Sequence, residues 1–506
     1  MRRSPGKSMW TAGAFLPVAV LGVAACIAPP LERPAPTAEV TTKLRIPQNL
    51  KNKVDVLFMV DSSASMGPMS DELKAKFGQF FKVFQDLSAK GNHADLNIGV
   101  VTSDYGAGAT GAPGCQPSPG GQQGRLVSVG AYAPQNCKPP LGSNFIKYAF
   151  AADGKGANNL PQGQDLLNTF TCMASVVTNQ SAGCGFEHQL ESVYAALHNN
   201  LPENAGFLRE GALLAVVFVT NEDDCSAPID SDLYDKNKVQ QYGFLSSFRC
   251  NRFGHVCGNP AASPPYSDSA GPLSSCATAP NPGGAGPGKL HDLSRYLTFF
   301  SKPAAQGGVK ANPNDVVLFG IMPPSDPYQV ILSNPGTPGN QPYVQCGQLS
   351  EQSNPPCVPV VQHSCQNPAK PQFFGDPPLR IASVINSAAN HQTTSICEDN
   401  YTAALDKLGN LIVSTISGGC ILAKLASPES PECIVQDETI ANDGSTAIAK
   451  LPSCAEAGGA TPCWKMEKKM ACSAISPDGL GLTVDRGGKQ APENTTAVVY
   501  CSARPG

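Results

Sequence analysis

An aspartate and two serines stand on alternate residues at Asp61, Ser63 and Ser65. A carboxylate and two hydroxyls are hard oxygen ligands, which Mg²⁺ prefers at about 2.0–2.1 Å while it keeps part of its hydration shell. The spacing therefore predicts a divalent cation site, with Mg²⁺ as the expected ion and Mn²⁺ or Ca²⁺ as alternatives. The other role for these side chains is to cap the helix that follows, as Asp and Ser often do.

The elements around this motif predict that its side chains lie at one edge of a sheet. Residues 54–60 are mostly apolar and contain no Gly or Pro, which predicts a strand buried on both faces. Apolar residues at helical spacing from 69 to 89 predict a helix directly after the motif. In an open α/β sheet, ligands bind beyond the carboxyl ends of the strands, which is where this turn would lie.

A second apolar run, over residues 213–220, also ends in polar residues, the cluster 221–224. Further apolar runs predict strands over residues 96–103, 315–322 and 391–397. Helical patterns alternate with these strands along the chain. The alternation predicts an α/β fold, with a mostly parallel sheet, helices on both faces and long Cys-, Pro- and Gly-rich insertions.

The motif, the strand before it and the helix after it together resemble the von Willebrand factor type A (VWA) fold. The metal-ion-dependent adhesion site (MIDAS) of that family opens with Asp-x-Ser-x-Ser. The resemblance implies a Rossmann-like domain over residues 51–417, with a last ligand in the loop after strand 213–220, commonly written Thr-Asp-Gly. Here the loop reads Thr220-Asn221-Glu222, so Asn221 stands where the family has an acid, and Asp223 follows two positions later.

The family's middle threonine has no clear match in this chain. Glu187, in the loop before a predicted helix, is the nearest oxygen donor and would restore the lost charge. Glu187 has a second interpretation, pairing with the dipole of that helix, and the run 222–224 has one as a solvated loop. The resemblance thus implies as metal ligands Asp61, Ser63 and Ser65, with Asn221, Glu187 and Asp223 as further candidates.

By the same resemblance, the expected function is metal-dependent protein binding or adhesion. The cation would leave one coordination position open to a carboxylate of a partner protein. Asn221 and the missing threonine also allow a second interpretation, a structural or scaffolding envelope protein whose metal site is degenerate. No catalytic motif is found, so no enzymatic activity is expected. A formal net charge of −4 with no run of Lys or Arg argues against a nucleic-acid partner.

The chain holds 19 cysteines in 506 residues and no Cys-x-x-Cys pair, so disulfides are expected rather than zinc or redox motifs. Disulfides place the mature chain in an oxidising compartment. Leaving Cys26 aside, the even number that remains allows up to nine disulfides. The six cysteines after residue 418 predict a small disulfide-stapled, β-rich module over residues 418–506.

Residues 1–25 are expected to be a signal peptide, since basic residues precede an apolar run too short to span a bilayer. The run ends Val-Ala-Ala-Cys26, which resembles the lipobox of bacterial lipoproteins. That resemblance implies that Cys26 becomes the lipidated first residue, anchored in the membrane at the bacterial cell envelope. The absence of Asp after Cys26 implies the outer membrane. An ordinary cleaved signal peptide is the alternative interpretation.

Composition divides the rest of the chain. Residues 26–50 are predicted to be a Pro-rich tether that holds the domain off the membrane. The domain of residues 51–417 is interrupted by stretches rich in Gly, Pro and Cys. Insertions are therefore predicted near residues 104–162, 222–288 and 323–378.

Overall fold

The computed structural model of the chain divides it into two compact units, Met1–Glu39 and Val40–Gly506. The first unit lies outside the described residues, and with it the predicted signal peptide and the predicted lipidation site Cys26. The structure describes residues 40–48, 52–89, 93–108, 112, 114–115, 121–151, 156–178, 183–258, 271–273, 275–281, 288–334, 344–346, 350, 356–416, 419–469, 472–473 and 476–504.

Twenty strands lie in these described ranges, and six of them form one central sheet. The strands are β1 (Val40–Pro47), β2 (Lys53–Val60), β3 (Asp95–Thr102), β4 (Ile146–Ala149), β5 (Leu213–Val219), β6 (His255–Val256), β7 (Gly271–Pro272), β8 (Ala277–Thr278), β9 (Val316–Ile321), β10 (Gln329–Asn334), β11 (Val344–Gln345), β12 (Val358–Val361), β13 (Cys365–Gln366), β14 (Phe374–Gly375), β15 (Asn390–Thr394), β16 (Cys433–Ile440), β17 (Thr446–Leu451), β18 (Cys463–Lys468), β19 (Leu480–Asp485) and β20 (Thr495–Ala503).

Eight α-helices accompany the strands in the described part of the chain. They are α1 (Gly67–Ser88), α2 (Leu166–Ala174), α3 (Gln189–His198), α4 (Val239–Tyr242), α5 (Phe248–Gly254), α6 (Ser294–Ser301), α7 (Leu379–Ser387) and α8 (Thr402–Ile416). None of these described helices is both long enough and apolar enough to cross a bilayer.

The central sheet has the strand order β15-β9-β5-β2-β3-β4. Every neighbouring pair is parallel except β3 and β4, which are antiparallel. The central strands β2 and β5 are buried almost throughout, which explains their continuous apolar sequence. The structure confirms a mixed α/β fold with a largely parallel sheet, and it places the carboxyl ends of β2 and β5 side by side.

Each face of the central sheet has its own hydrophobic core. One core joins the sheet to α1, α2 and α8, and the other joins it to α3, α6 and α7. In the first core, the ring of Phe58 makes edge-to-face contacts with Phe77 and Phe80, with ring centroids 5.4 and 5.7 Å apart. This packing fixes α1 against β2, and it therefore fixes the turn that carries the Asp-x-Ser-x-Ser motif.

Nine disulfides join all 18 cysteines beyond Cys26, which confirms the number expected from the sequence. Six lie in the α/β part and three in the C-terminal part. The pairs are Cys115–Cys184, Cys137–Cys172, Cys225–Cys250, Cys257–Cys276, Cys346–Cys357, Cys365–Cys397, Cys420–Cys472, Cys433–Cys501 and Cys454–Cys463.

The C-terminal part forms a second sheet, with the order β1-β20-β16-β17. The predicted tether of residues 26–50 is therefore wrong over residues 40–47, which form β1 and pair with β20 over eight residues. The physical reason is the alternation of Leu44 and Ile46 with polar residues, because both side chains pack in the C-terminal core. The β-rich C-terminal sheet thus takes one strand from the other end of the chain.

The C-terminal sheet meets the α/β part at the amino ends of the central strands. Asn312, just before β9, donates to the hydroxyl of Thr496 at 3.1 Å, and Asn314 donates to the same hydroxyl at 3.2 Å. Arg45 of β1 donates to Asn314 at 2.8 Å. These contacts lie at the opposite ends of the strands from the Asp-x-Ser-x-Ser turn.

Candidate metal centre

Asp61 follows the last residue of β2 and is fully buried. Its carboxylate oxygen Oδ1 accepts hydrogen bonds from the backbone N–H of Ser63 at 2.8 Å and from the hydroxyl of Ser103 at 3.1 Å. Its oxygen Oδ2 accepts from the hydroxyl of Thr220 at 2.7 Å. Burial raises the pKa of Asp61, and the hydrogen bonds from Ser63 and Thr220 oppose that rise.

The two serines of the motif converge with Asn221 from the next strand. The hydroxyl oxygens of Ser63 and Ser65 are 3.1 Å apart, and the Ser65 hydroxyl donates to Asn221 Oδ1 at 3.1 Å. Neither serine caps a helix, because the short 3-10 turn at residues 64–66 and helix α1 both begin without a side-chain cap. The capping alternative is therefore not supported, and the motif oxygens face one another at the sheet edge.

Glu187 joins the same region from the loop before α3. It is 1% exposed, and its oxygen Oε2 has no hydrogen-bond partner within the described residues. Burial, and then the charges of Glu222 and Asp61, raise the pKa of Glu187 well above its ordinary value. The acid in the first turn of α3 is Glu191, not Glu187, so the helix-dipole interpretation of Glu187 is not supported.

Two further carboxylates, Glu222 and Asp376, lie close enough to act on the charge of Glu187. Glu222 belongs to the acidic run 222–224 noted in the sequence, and only Asp376 was not expected. Glu222 is partly exposed, and partial burial with the charges of Asp376 and Asp61 raises its pKa to about 8. Asp376 follows β14, and its backbone N–H donates to the carbonyl of Asn221 at 2.8 Å. Glu222 is adjacent to a candidate residue and was open to inference, whereas Asp376 lies in a Pro-rich insertion that carries no periodic signal.

Asp223, the remaining candidate ligand, is engaged elsewhere. Its oxygens accept from the backbone N–H groups of Arg380 and Ile381 at the start of α7, at 3.0 to 3.2 Å. Oxygen Oδ2 is also 2.8 Å from the imidazole Nε2 of His255. Asn221 therefore joins the motif through Ser65, whereas the carboxylate of Asp223 is held by backbone N–H groups at the start of α7, which have no partner within the helix.

The chemistry of the candidate oxygens decides whether they fit a divalent cation. No group of three or more His, Cys, Asp and Glu side chains is placed to hold a metal among the residues that the structure describes. The candidate set has a different composition, two carboxylates with hydroxyl and amide oxygens, which suits a hard cation that retains water. The orphaned buried oxygen of Glu187 also fits, because such a group is expected to meet an ion or water.

Most of the residues that carry these oxygens are buried. Asp61 and Asn221 are fully buried, and Ser63 is 5% exposed. Ser65 and Glu222 are partly exposed, and they lie on the solvent side of the group. A ligand from outside would therefore reach the centre past Ser65 and Glu222.

The substitution Gly183→Ala tests the packing around the Asp-x-Ser-x-Ser motif. A Cβ atom at Gly183 would lie 2.3 Å from the backbone carbonyl oxygen of Ser62, which cannot move without shifting the motif turn. We expect Gly183→Ala to lower the free energy of unfolding by about 1–3 kcal/mol, as overpacking does, and to weaken cation binding. Urea denaturation and a Mg²⁺ titration would measure the two effects.

Gly185 gives a matched control two residues away. A Cβ atom there would meet nothing within 4 Å. Gly185→Ala is expected to change the free energy of unfolding by less than about 0.5 kcal/mol. Equal behaviour of the two variants would contradict the close approach of the loop at Gly183 to the motif.

His188, beside Glu187, gives a prediction about pH. Burial, and then the charge of His291, lower the pKa of His188 to about 3. An unfolded histidine binds a proton below about pH 6.5 while the folded one does not, so acid favours unfolding. We expect this group to remove about 2 kcal/mol of stability at pH 5 relative to pH 7.

The variant His188→Gln isolates this effect, because its amide can keep the hydrogen bond that His188 makes with the hydroxyl of Tyr234 at 2.9 Å. Urea unfolding at pH 7 and at pH 5 should show a pH-dependent loss about 2 kcal/mol smaller in the variant than in the wild type. An identical pH dependence in both proteins would contradict the prediction, because it would mean that His188 binds a proton at pH 5 in the folded state as readily as in the unfolded state.

Comparison with known proteins gives no family. No protein-family model matches the sequence, and no curated protein sequence matches it. Among solved structures, the chain aligns with the pilus adhesin SpaC from Lactobacillus rhamnosus GG at 9% identity and a TM-score of 0.26, covering 91% of this chain and 41% of SpaC. It aligns with the pilus adhesin RrgA from Streptococcus pneumoniae at 11% identity and a TM-score of 0.25, covering 91% of this chain and 57% of RrgA.

A third alignment is with the adhesive tip pilin GBS104 from Group B Streptococcus agalactiae, at 12% identity and a TM-score of 0.24. It covers 91% of this chain and 80% of GBS104. The chain thus spans about half the length of the first two adhesins. At these TM-scores the alignments carry no argument about function, which must come from the candidate centre itself.

Proposed function

We propose that this protein is a divalent-cation-dependent protein-binding module of the VWA type. The observation that carries the proposal is the convergence of Asp61, Ser63, Ser65 and Asn221 at the adjacent carboxyl ends of β2 and β5. The hydroxyls of Ser63 and Ser65 are 3.1 Å apart, and Ser65 bonds Asn221, so residues 156 positions apart share one small polar site. Mg²⁺ is the ion we expect, with Mn²⁺ or Ca²⁺ as alternatives.

The residues that would hold the cation follow from their free acceptor positions. Ser63 and Ser65 offer hydroxyl oxygens, and Glu187 offers an oxygen with no other partner. Asp61 can offer only the second lone pair of Oδ2, since its own chain already supplies three hydrogen bonds. When bound, the cation would supply a Lewis-acid position for a carboxylate of a partner protein.

We place the protein at the bacterial cell envelope, as a lipid-anchored protein attached through Cys26. Nine disulfides favour an oxidising compartment such as the periplasm or the cell surface. We propose no enzymatic activity, because the sequence holds no catalytic motif and the residues of the candidate centre include no activated nucleophile.

The experiment that tests the proposed function is a pull-down from envelope extract with the purified domain, in Mg²⁺ and in EDTA. We expect a partner retained by the wild type in Mg²⁺ and released by EDTA, and no retention by Asp61→Ala. Retention of the same partner in EDTA, or by Asp61→Ala at wild-type strength, would contradict the proposal.

A second candidate function is a structural or scaffolding envelope protein with a degenerate or purely structural cation site. The burial of Asp61, Asn221 and Glu187 favours it, since a partner carboxylate would have to reach a centre whose residues are mostly buried. Asn221 in the place of the family's acid favours it as well. Cation binding that raises the melting temperature without any cation-dependent partner would support this second function.

A further inference from the structure

Asp61 stands at the end of a buried chain of hydrogen bonds that begins on α3. The side-chain amide Nε2 of Gln189 donates to the hydroxyl oxygen of Thr220 at 3.1 Å. The Thr220 hydroxyl donates to Asp61 Oδ2 at 2.7 Å. All three side chains are fully buried, so solvent does not compete for any of these groups.

The direction of each hydrogen bond in this chain is fixed by its neighbours. Two acceptors compete for the single hydroxyl hydrogen of Thr220, Asp61 Oδ2 at 2.7 Å and the backbone carbonyl oxygen of Glu222 at 3.1 Å. An ionised carboxylate only accepts and is the shorter and stronger acceptor, so we assign the hydrogen to Asp61. The backbone N–H of Glu222 also reaches the Thr220 oxygen, at 3.2 Å, so this N–H and the Gln189 amide fill the two acceptor positions of the hydroxyl. With both acceptor positions of the Thr220 oxygen filled, the hydroxyl can make one further hydrogen bond, as a donor.

The orientation of Gln189 follows from the same logic. If its amide oxygen faced Thr220, the one hydroxyl hydrogen would face two acceptors, and either Gln189 at 3.1 Å or Asp61 at 2.7 Å would be left against the hydroxyl oxygen with no hydrogen between them. The opposite orientation leaves Gln189 Oε1 buried without a hydrogen-bond partner. In this arrangement the oxygen of Gln189 is unsatisfied, and the hydroxyl of Thr220 donates its hydrogen bond to Asp61.

We propose that Gln189 and Thr220 are positioning residues for the candidate cation site. They hold Asp61 in one rotamer and present it as an ionised carboxylate with one acceptor position open toward Ser63 and Ser65. The inference rests on the proposed cation binding at that site. Outer hydrogen-bond partners of this kind commonly change metal affinity by about 10–100-fold when they are removed.

The test uses Mn²⁺ as the probe and isothermal titration calorimetry as the readout, with disulfide-intact protein. Thr220→Val keeps the shape of the side chain and removes the hydroxyl, and we expect Mn²⁺ affinity to fall by about 10–100-fold. Thr220→Ser restores the hydroxyl without the methyl group, and we expect affinity close to the wild type. Gln189→Met removes the amide at constant length, and we expect a smaller loss, about tenfold, at the lower end of that range.

Ser192 provides the control. It is a fully buried polar residue of α3, the helix that carries Gln189, and it takes no part in the hydrogen bonds that join Gln189, Thr220 and Asp61. Ser192→Ala is expected to bind Mn²⁺ as the wild type does. Unchanged affinity in Thr220→Val would overturn the inference while leaving cation binding intact. A loss in Thr220→Ser as large as in Thr220→Val would also overturn it, since packing and not the hydroxyl would then matter.

A failure of the proposed function gives a different result. If the wild type binds no Mn²⁺ at millimolar concentration, both the proposed cation site and the positioning role are wrong. Urea unfolding of each variant separates loss of affinity from loss of the fold, because a positioning role predicts weaker Mn²⁺ binding in variants that unfold cooperatively.

Discussion

Replacing Asp61 with Ala is expected to abolish divalent cation binding, with a loss of affinity greater than about 100-fold. Asp61 carries the negative charge of the Asp-x-Ser-x-Ser motif, and its burial makes that charge uncompensated without a cation. Ser63, Ser65 and Glu187 would remain, but a site that keeps one carboxylate of two is a weaker site for Mg²⁺. Equilibrium titration with Mg²⁺ and Mn²⁺ would measure the loss.

Asp71 gives a matched control for this substitution. It lies on α1, ten residues after Asp61, and its side chain is 68% exposed in an ion pair with Lys74. Asp71→Ala is expected to bind Mg²⁺ and Mn²⁺ as the wild type does, because a surface ion pair contributes little and Asp71 supplies no oxygen to the candidate set. Equal loss in both variants would indicate non-specific attraction of cations by the protein charge.

Replacing Arg380 with Met is expected to cost about 3–5 kcal/mol of stability, which is the largest effect we predict on the fold. The Arg380 Nε donates to Asp224 Oδ2 at 3.0 Å, and neither side chain has any exposed surface. Removing the guanidinium would leave the carboxylate of Asp224 buried without its counter-charge. Urea unfolding of disulfide-intact protein would measure the difference.

Asp224 links this ion pair to the candidate centre, because its Oδ1 accepts from the backbone N–H of Leu190 in the first turn of α3, at 2.9 Å. The double variant Arg380→Met/Asp224→Asn should recover part of the lost stability, since it removes the orphaned charge. Arg125, whose pair with Glu203 is about 40% exposed on both sides, is the surface control. Arg125→Met should cost less than about 1 kcal/mol, and a similar cost at Arg380 would contradict its structural role.

The residues of the candidate centre that the sequence predicted are those with a clear pattern in the neighbouring sequence. Asp61, Ser63 and Ser65 follow a strand whose apolar run is unbroken, so their position at the sheet edge could be inferred directly. Asn221 could be inferred because it follows a second strand of the same kind. Glu187 is the borderline case, since it lies just before a helix whose first residue sequence patterns place only approximately.

The parts that the sequence did not predict depend on contacts between distant segments. Ser103 and Thr220 bond Asp61 from two other strand ends, and Gln189 reaches it through Thr220. Only Thr220 stands in a motif position, as the first residue of the loop 220–222, and its contact with Asp61 has no sequence signal. Asp376 reaches Asn221 from a Pro-rich insertion. Asp223 was a candidate ligand because it is acidic and close to Asn221 in sequence, but the backbone N–H groups at the start of α7 take its carboxylate.

The difference between local signals and contacts of distant segments also explains why the predicted tether of residues 26–50 was wrong over residues 40–47. Proline-rich composition before residue 40 suggested that the whole of residues 26–50 is extended and unpaired. The alternation of Leu44 and Ile46 was a strand signal, but its partner β20 begins more than 440 residues later in the sequence. Pairing over that separation has no local signature.

A crystal of the wild-type protein grown with MnCl₂ and measured at the manganese absorption edge would test the central claim most directly. We predict one strong anomalous peak within coordination distance of the hydroxyls of Ser63 and Ser65 and the carboxylates of Asp61 and Glu187, and no such peak in Asp61→Ala crystals. Electron density for these side chains with no anomalous peak among them, or a peak bound only elsewhere on the chain, would contradict a cation site at the end of β2.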